Sequence, residues 1–368
     1  MTRKFKKFVI IAGTRPEVIK LAPVYRAFKE KELQIEFWLT GQHLELAMEP
    51  AAFFNIKIAR KWKVLKKGQG SNELLAKLIS KLDTALRQEK PDVVIIQGDT
   101  TTALAGALAA FHRGIRVAHV EAGLRSGDLQ APFPEEMNRR VIDAFADWRF
   151  PPTDLSFEEL KKEGYSNISM PTGNTGIDAL YWAREIVRKT GHWPANVPQI
   201  PPGAKLILST GHRRESLGEP LTRILNALGR EIQRRPDLVL FHVGHPNPVA
   251  AENARQALSG FDRVHILSAL NYPGFVTLLD RASIVVSDSG GVQEEAPSFG
   301  VPVLITRDVT ERPEVLRCGG VLIGTDPRKL KPVFRNLMKE AKSKSGIRKT
   351  PFGDGKASVR IRDEITSG

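Results

Sequence analysis

At 368 residues, with 41% hydrophobic and 26% charged side chains, the chain is too long for one ordinary core and too apolar for disorder, so two domains of about 150 to 200 residues are expected. A single cysteine, Cys318, excludes an intrachain disulfide and fits a reducing compartment. The net charge of +14 admits nucleic acid, anionic lipid or an anionic small substrate, but the basic runs 3–7 (RKFKK) and 59–67 (ARKWKVLKK) lack the glycine and aromatic interleaving of a nucleic-acid module; a solvated basic surface on an enzyme is expected, with neither nucleic acid nor membrane as partner.

The first strand is KFVIIAG (7–13). Basic residues ahead of an apolar run resemble a signal peptide, but the run stops after about six residues, short of a leader and far short of the roughly 18 a membrane helix needs. A cytoplasmic protein is the expectation. GTRPEVIK (13–20) closes that strand with a glycine and sets Arg15 just before Pro16, a favoured first helical residue. Arg15 there can grip a phosphate, helped by Lys20 one turn on, or pair with Glu17.

Further strands are expected at QIEFWLT (34–40), DVVIIQG (92–98), RVAHVE (116–121), DWRF (147–150) and NISM (167–170), separated by helix-length amphipathic segments, the pattern of a parallel sheet with crossover helices. Asp99 follows DVVIIQG and is either a helix N-cap or a working acid. His119 and Glu121 end the next strand, which places Asp99 and Glu121 above neighbouring strands. Clustered carboxylates raise one another's pKa, one way to prepare a proton carrier. PFPEEMNRR (132–140) adds Glu135 and Glu136, favoured by the helix dipole in any case, and Arg139, counted with the substrate-binding side chains.

A helix over about 176–189 and the proline-rich HWPANVPQIPPGAK separate the halves. The second half repeats the alternation with KLILST (205–210), LVLFHV (238–243), RVHIL (263–267), SIVVSD (283–288), VPVLIT (301–306) and GVLIG (320–324). The fold class expected is α/β, two doubly wound Rossmann-like domains facing a central cleft, with boundaries at 1–172 and 173–352 and a terminal helix over 353–368.

STGHRRES (209–216) puts His212 at the end of a strand, beside Arg213 and Arg214, where it can protonate or hydrogen-bond a leaving phosphate. His245, in GHPNP, fits a turn as well as a ligand. Ser289, Gly290 and Gly291 offer a hydroxyl and backbone N–H groups to a diphosphate, Glu295 can accept both hydroxyls of a ribose, and Arg312 supplies a further phosphate contact. A nucleoside diphosphate sugar fits such a set. Neither half carries Gly-x-Gly-x-x-Gly after its first strand, no P-loop occurs, and the histidines follow no metal-binding spacing, so no cofactor and no metal are expected.

The blocks GTRPEVIKLAP, TGQH, GDTTTALA, HVEAGLRSGD, PFPEEMNRR, GNTGIDAL, TGHRRES, HPNP, SDSGGVQEEAPSFGVPVL, RDVTERPE and FGDGKAS, in this order from Gly13 to Ser358, resemble the non-hydrolysing UDP-N-acetylglucosamine 2-epimerases. That resemblance implies a GT-B-like pair of domains, a homodimer, and a terminal helix that returns to the first domain. It implies interconversion of UDP-GlcNAc and UDP-ManNAc through loss of UDP, a 2-acetamidoglucal and re-addition. Carried over by position, Asp99, Glu121, Glu135 and His212 match catalytic residues, and Arg15, Ser289, Gly290, Gly291, Glu295 and Arg312 match UDP-binding ones. Gln42 and His43 match a site where a second UDP-GlcNAc activates many bacterial members, although the following LELAM departs from the usual REML. His242-Val243-Gly244 also departs, standing where Tyr-Pro-Val is usual. Rival readings are a hydrolysing 2-epimerase that releases UDP and ManNAc, and a GT-B glycosyltransferase, which has no need of three acids in the first domain.

Overall fold

The computed structural model describes residues 5–41, 44–65, 68–211, 218–244, 247–341 and 350–367. They form two compact units, Met1–Tyr181 with Phe352–Gly368, and Trp182–Pro351. The division falls inside one helix, α7 (Thr175–Thr190).

Unit 1 holds β1 (Lys7–Ala12), β2 (Gln34–Leu39), β3 (Ile58–Lys61), β4 (Val93–Gln97), β5 (Arg116–Val120) and β6 (Trp148–Phe150), in the parallel order β3-β2-β1-β4-β5-β6. β4 is buried along its whole length, as a strand covered on both faces must be, and its Val-Val-Ile-Ile run needs no polar alternation. Two expectations are corrected here. β3 overlaps the start of the run 59–67 that reads as solvated charge; it is an edge strand whose residues alternate between half-buried and exposed, with Arg60 lying over the Trp38 ring. NISM (167–170) forms no strand, because only Ile168 bridges to Arg149.

The helices follow from composition. α4 (Thr101–Phe111) is built from Ala, Gly and Leu, and packs so close that a Cβ on Gly106 would lie 3.2 Å from Ile96. Thr100 caps it, its hydroxyl accepting from the Ala103 N–H at 3.0 Å. The last helix, α13 (Ala357–Ser367), belongs to unit 1 and meets α1 (Arg15–Glu30), where Arg362 donates to the Ala27 carbonyl at 3.2 Å. Asp178 of α7 caps α13, accepting from the Ala357 and Ser358 N–H groups and the Ser358 hydroxyl at 3.2, 2.8 and 2.7 Å.

Unit 2 contains β7 (Lys205–Thr210), β8 (Leu238–Val243), β9 (Val264–Leu267), β10 (Ala282–Ser287), β11 (Val303–Ile305) and β12 (Gly320–Leu322), ordered β12-β11-β10-β7-β8-β9. Its core joins Ile207, Leu240 and Ile284 of the sheet to Ile224 and Leu228 of α8 (Glu219–Gln233) and Phe334 of α12 (Pro327–Ala341). In each sheet the order reverses once, between β1 and β4 and between β7 and β10. Open α/β sheets bind ligands outside the carboxyl ends of the strands at such a reversal. The loops found there carry Arg15, Asp99 and Ser289.

Candidate active site

In unit 1 the β1–α1 turn is held by a buried carboxylate. Glu17, 1% exposed, accepts from the N–H groups of Gly13 and Thr14 at 3.1 and 2.7 Å, from the Thr14 hydroxyl at 2.6 Å, and from the Thr100 hydroxyl at 2.8 Å. Burial pushes its carboxyl up despite these donors. Arg15 is the first helical residue, and it faces Glu49 at 3.4 Å, not Glu17. Glu17 is therefore the clasp between the Arg15 loop and the Asp99 loop. The spacing Thr14-x-x-Glu17 signals a capping box in the sequence.

The two carboxylates at the ends of β4 and β5 each meet a cation. Asp99 accepts from Arg139 at 2.5 Å, and Glu121 accepts from Lys20 at 2.5 Å and from the Gln97 amide at 2.8 Å. The sequence places the two acids above neighbouring strands but gives no sign of the cation that each one meets. Glu121 also has φ +66°, rare for a residue with a side chain, and its N–H and that of Ala122 both reach the Phe150 carbonyl at 3.1 Å. The chain turns sharply at the acid itself.

Glu135 begins α5 (Glu135–Phe145), half-buried, its side chain with no hydrogen bond or ion pair among the described residues. Its neighbour Glu136 is wholly buried and structural, accepting from the Ser126 N–H at 3.0 Å and pairing with Arg140 and Arg139 at 2.9 and 3.3 Å. Asn138 on the same helix donates to the Asp99 carbonyl at 2.7 Å. Among the described residues no group of three or more His, Cys, Asp or Glu is arranged to hold a metal ion.

In unit 2, Ser289 precedes α11 (Gly290–Ser298), and Gly290 and Gly291 are its first residues. A Cβ on Gly290 would lie 2.6 Å from an Arg312 guanidinium nitrogen, whereas a Cβ on Gly291 would meet nothing within 4 Å. The two glycines therefore do different work: the first admits the arginine over the helix N-terminus, and the second leaves open space before it. A cation and a helix N-terminus side by side are features that attract an anion. Glu294, 7% exposed, pairs with Arg312, and Thr310 donates to the buried Gln293 at 2.5 Å while accepting from the Arg312 N–H at 3.1 Å. Glu295 is half-buried one turn into the helix. His242, 1% exposed, shares a 2.8 Å hydrogen bond with Ser209, and burial lowers its pKa to about 4. Gly244 follows because a Cβ there would sit 2.6 Å from the Leu267 carbonyl.

His212, Arg213, Arg214, His245, Gln42 and His43 lie outside the described residues. No helix among those described is long and apolar enough to cross a membrane.

Two doubly wound parallel sheets, with charged loops at both reversals of strand order, define a GT-B-like α/β protein. A family model described as UDP-N-acetylglucosamine 2-epimerase matches residues 26–366, and the chain belongs to that family. It is 39% identical over 368 residues to UDP-N-acetylglucosamine 2-epimerase of Escherichia coli K12, covering 98% of both chains. The crystal structure of the Neisseria meningitidis UDP-GlcNAc 2-epimerase, solved bound to UDP-GlcNAc, is similar with a TM-score of 0.89 at 36% identity, over 98% of this chain and 100% of that one. The Methanocaldococcus jannaschii UDP-GlcNAc 2-epimerase, solved with UDP-GlcNAc and UDP, gives 0.80 at 33% identity over 98% and 100%.

Proposed function

We propose that the protein interconverts UDP-GlcNAc and UDP-ManNAc without net loss of UDP, as a cytoplasmic homodimer that supplies ManNAc-type sugars for surface polysaccharide. The observation that carries this reading is the near-full-length similarity to enzymes solved with UDP-GlcNAc and UDP, joined to the anion site at Gly290, Gly291 and Arg312 in unit 2.

In the first half-reaction the C1–O bond breaks and its electron pair leaves with the β-phosphate of UDP. A carboxylate takes the C2 proton, and the C–H pair becomes the C1–C2 double bond of 2-acetamidoglucal. A proton is then delivered to the opposite face of C2 while the UDP oxygen re-forms its bond to C1. Removal and delivery on two faces require more than one acid–base group, which is the role assigned to Asp99, Glu121 and Glu135. Asp99 is held by Arg139 and Glu121 by Lys20, while the Glu135 side chain makes no ion pair among the described residues. Arg139 and Lys20 then serve the acids as well as the substrate. In unit 2, Ser289, Gly290, Gly291 and Arg312 hold the diphosphate and Glu295 the ribose, with His212 and Arg213 at the departing phosphate. Gln42 and His43 are proposed as part of an activating UDP-GlcNAc site.

Proton NMR of the purified protein with UDP-GlcNAc in D2O tests this. Deuterium at C2 with UDP-ManNAc appearing and free UDP low is expected. Stoichiometric UDP with free ManNAc would assign the hydrolysing reaction, and no exchange would overturn the proton relay.

A further inference from the structure

Behind the acids of unit 1 lies a charged network that no proposed step uses. His119 on β5 is fully buried, with Nδ1 2.6 Å from Asp143 Oδ1 and Nε2 2.8 Å from the carbonyl oxygen of Gly98, the residue before Asp99. A carbonyl can only accept a hydrogen bond, and so can an ionised carboxylate, so the ring donates from both nitrogens. Asp143, also fully buried, accepts in addition from Arg125 at 2.8 Å and from the Gly123 N–H at 3.2 Å. Burial alone would push its carboxyl up; the His119 and Arg125 charges outweigh that and hold it below the usual range. Arg125 then reaches Glu163 at 2.6 and 2.7 Å, so two positive and two negative groups close on one another.

We propose that His119 is a positioning residue for Asp99, fixing through the Gly98 carbonyl the turn on which that carboxylate stands. This rests on the reading of Asp99 as a catalytic acid. The turn has three anchors: the Gly98 N–H donates to the Val120 carbonyl at 3.0 Å, His119 donates to the Gly98 carbonyl, and Asn138 donates to the Asp99 carbonyl at 2.7 Å. Gly98 has φ +69°, so the peptide it presents to His119 has a conformation that few other residues hold unaided. Without the ring, the carbonyl loses its donor inside the protein and the peptide is released to rotate, carrying Asp99 with it. A shift of about 1 Å in a catalytic group costs on the order of 100-fold in rate. Asp143 acts one step further back, orienting the ring, and Arg125 orients Asp143.

The test is steady-state epimerisation of UDP-GlcNAc, with C2 deuterium incorporation in D2O, by His119→Phe and His119→Gln, beside Asp99→Asn and with the melting temperature of each variant. Phenylalanine removes both donors, and glutamine keeps one at the place of Nε2. The expected result is that His119→Phe loses roughly 100-fold in kcat with KM changed less than about threefold, and that His119→Gln recovers at least tenfold of the loss. Equal damage in both variants, tracking a fall in melting temperature, would show a packing role and overturn the proposal. Wild-type kcat in His119→Phe would overturn it as well. Asp99→Asn separates the two levels: if it retains full activity the catalytic reading of Asp99 falls, whereas an inactive Asp99→Asn beside a normal His119→Phe removes only the positioning role.

Discussion

The Arg312 guanidinium occupies the volume that a side chain at Gly290 would fill, its nearest nitrogen 2.6 Å from where the Cβ would stand. Neither Gly290 nor Gly291 has a positive φ, so conformational freedom is not the reason for either glycine. Gly290→Ala is expected to displace Arg312 and weaken UDP binding about 10- to 100-fold, the loss of one or two charge-assisted hydrogen bonds, while the melting temperature holds because alanine suits a helix start at least as well. Gly291→Ala meets no protein atom, so any effect on UDP would arise from the ligand's own need for that space. Isothermal titration with UDP on both variants separates the two. Equal affinity in Gly290→Ala and wild type would show that Arg312 does not contact the diphosphate.

Lys20 and Arg139 are expected to govern rate more than stability. Lys20 holds the buried Glu121 and Arg139 the half-buried Asp99. Lys20→Met or Arg139→Met should lower kcat on the order of 100-fold, as removal of a preorganised charge contact does, with a melting temperature close to wild type for Arg139→Met and lower for Lys20→Met, which strands the buried Glu121. A variant that binds UDP-GlcNAc less well but turns over normally once saturated would restrict the cation to substrate binding.

Much of this was legible in the sequence, and the gaps have physical causes. Alternating apolar runs and amphipathic segments place five of the six strands of unit 1, because fully buried strands need long apolar runs. β3 was hidden because an edge strand has water on one side and is protected by charge, so its Arg60 and Lys61 look like solvated surface. The Ser-Gly-Gly start of α11 was readable, but the pairing of Glu294 with Arg312 was not. Glu294 meets Arg312 only because the 307–312 loop folds back on α11, and sequence neighbours carry no trace of that. Asp143 was invisible for the same reason: an acid inside a helix reads as solvent-facing until the fold brings it under His119.

Acid should destabilise the protein through His242. Its pKa is about 4 in the folded chain against 6.5 for the free side chain, so the unfolded state binds more protons throughout that interval. The stability associated with the neutral ring is present above pH 6.5 and is lost as pH falls through about 4, to a limit of about 3 kcal/mol. Urea midpoints measured from pH 7 to pH 4 should fall for wild type and fall less for His242→Phe. Parallel curves would mean that the ring titrates freely in the native state.

Glu17 gives the most direct test of the clasp between the Arg15 and Asp99 loops. It accepts four hydrogen bonds, three of them from Gly13 and Thr14 and one from Thr100. Glu17→Ala strands these donors in a buried site and is expected to cost about 2 to 4 kcal/mol and to lower kcat by loosening both loops. Glu17→Gln keeps one oxygen for Gly13 and Thr14, and its amide can donate to the Thr100 hydroxyl, so it should stay within about 1 kcal/mol of wild type at low pH. The two then diverge with pH. A carboxyl whose folded pKa lies above the free value of 4.5 contributes stability that is complete below that value and is lost as pH rises through the folded one. Glutamine has no such dependence, so the difference in melting temperature should move in favour of Glu17→Gln between pH 4.5 and pH 8. A constant difference would place the Glu17 carboxyl at its ordinary value and leave the four hydrogen bonds balancing the cost of burial.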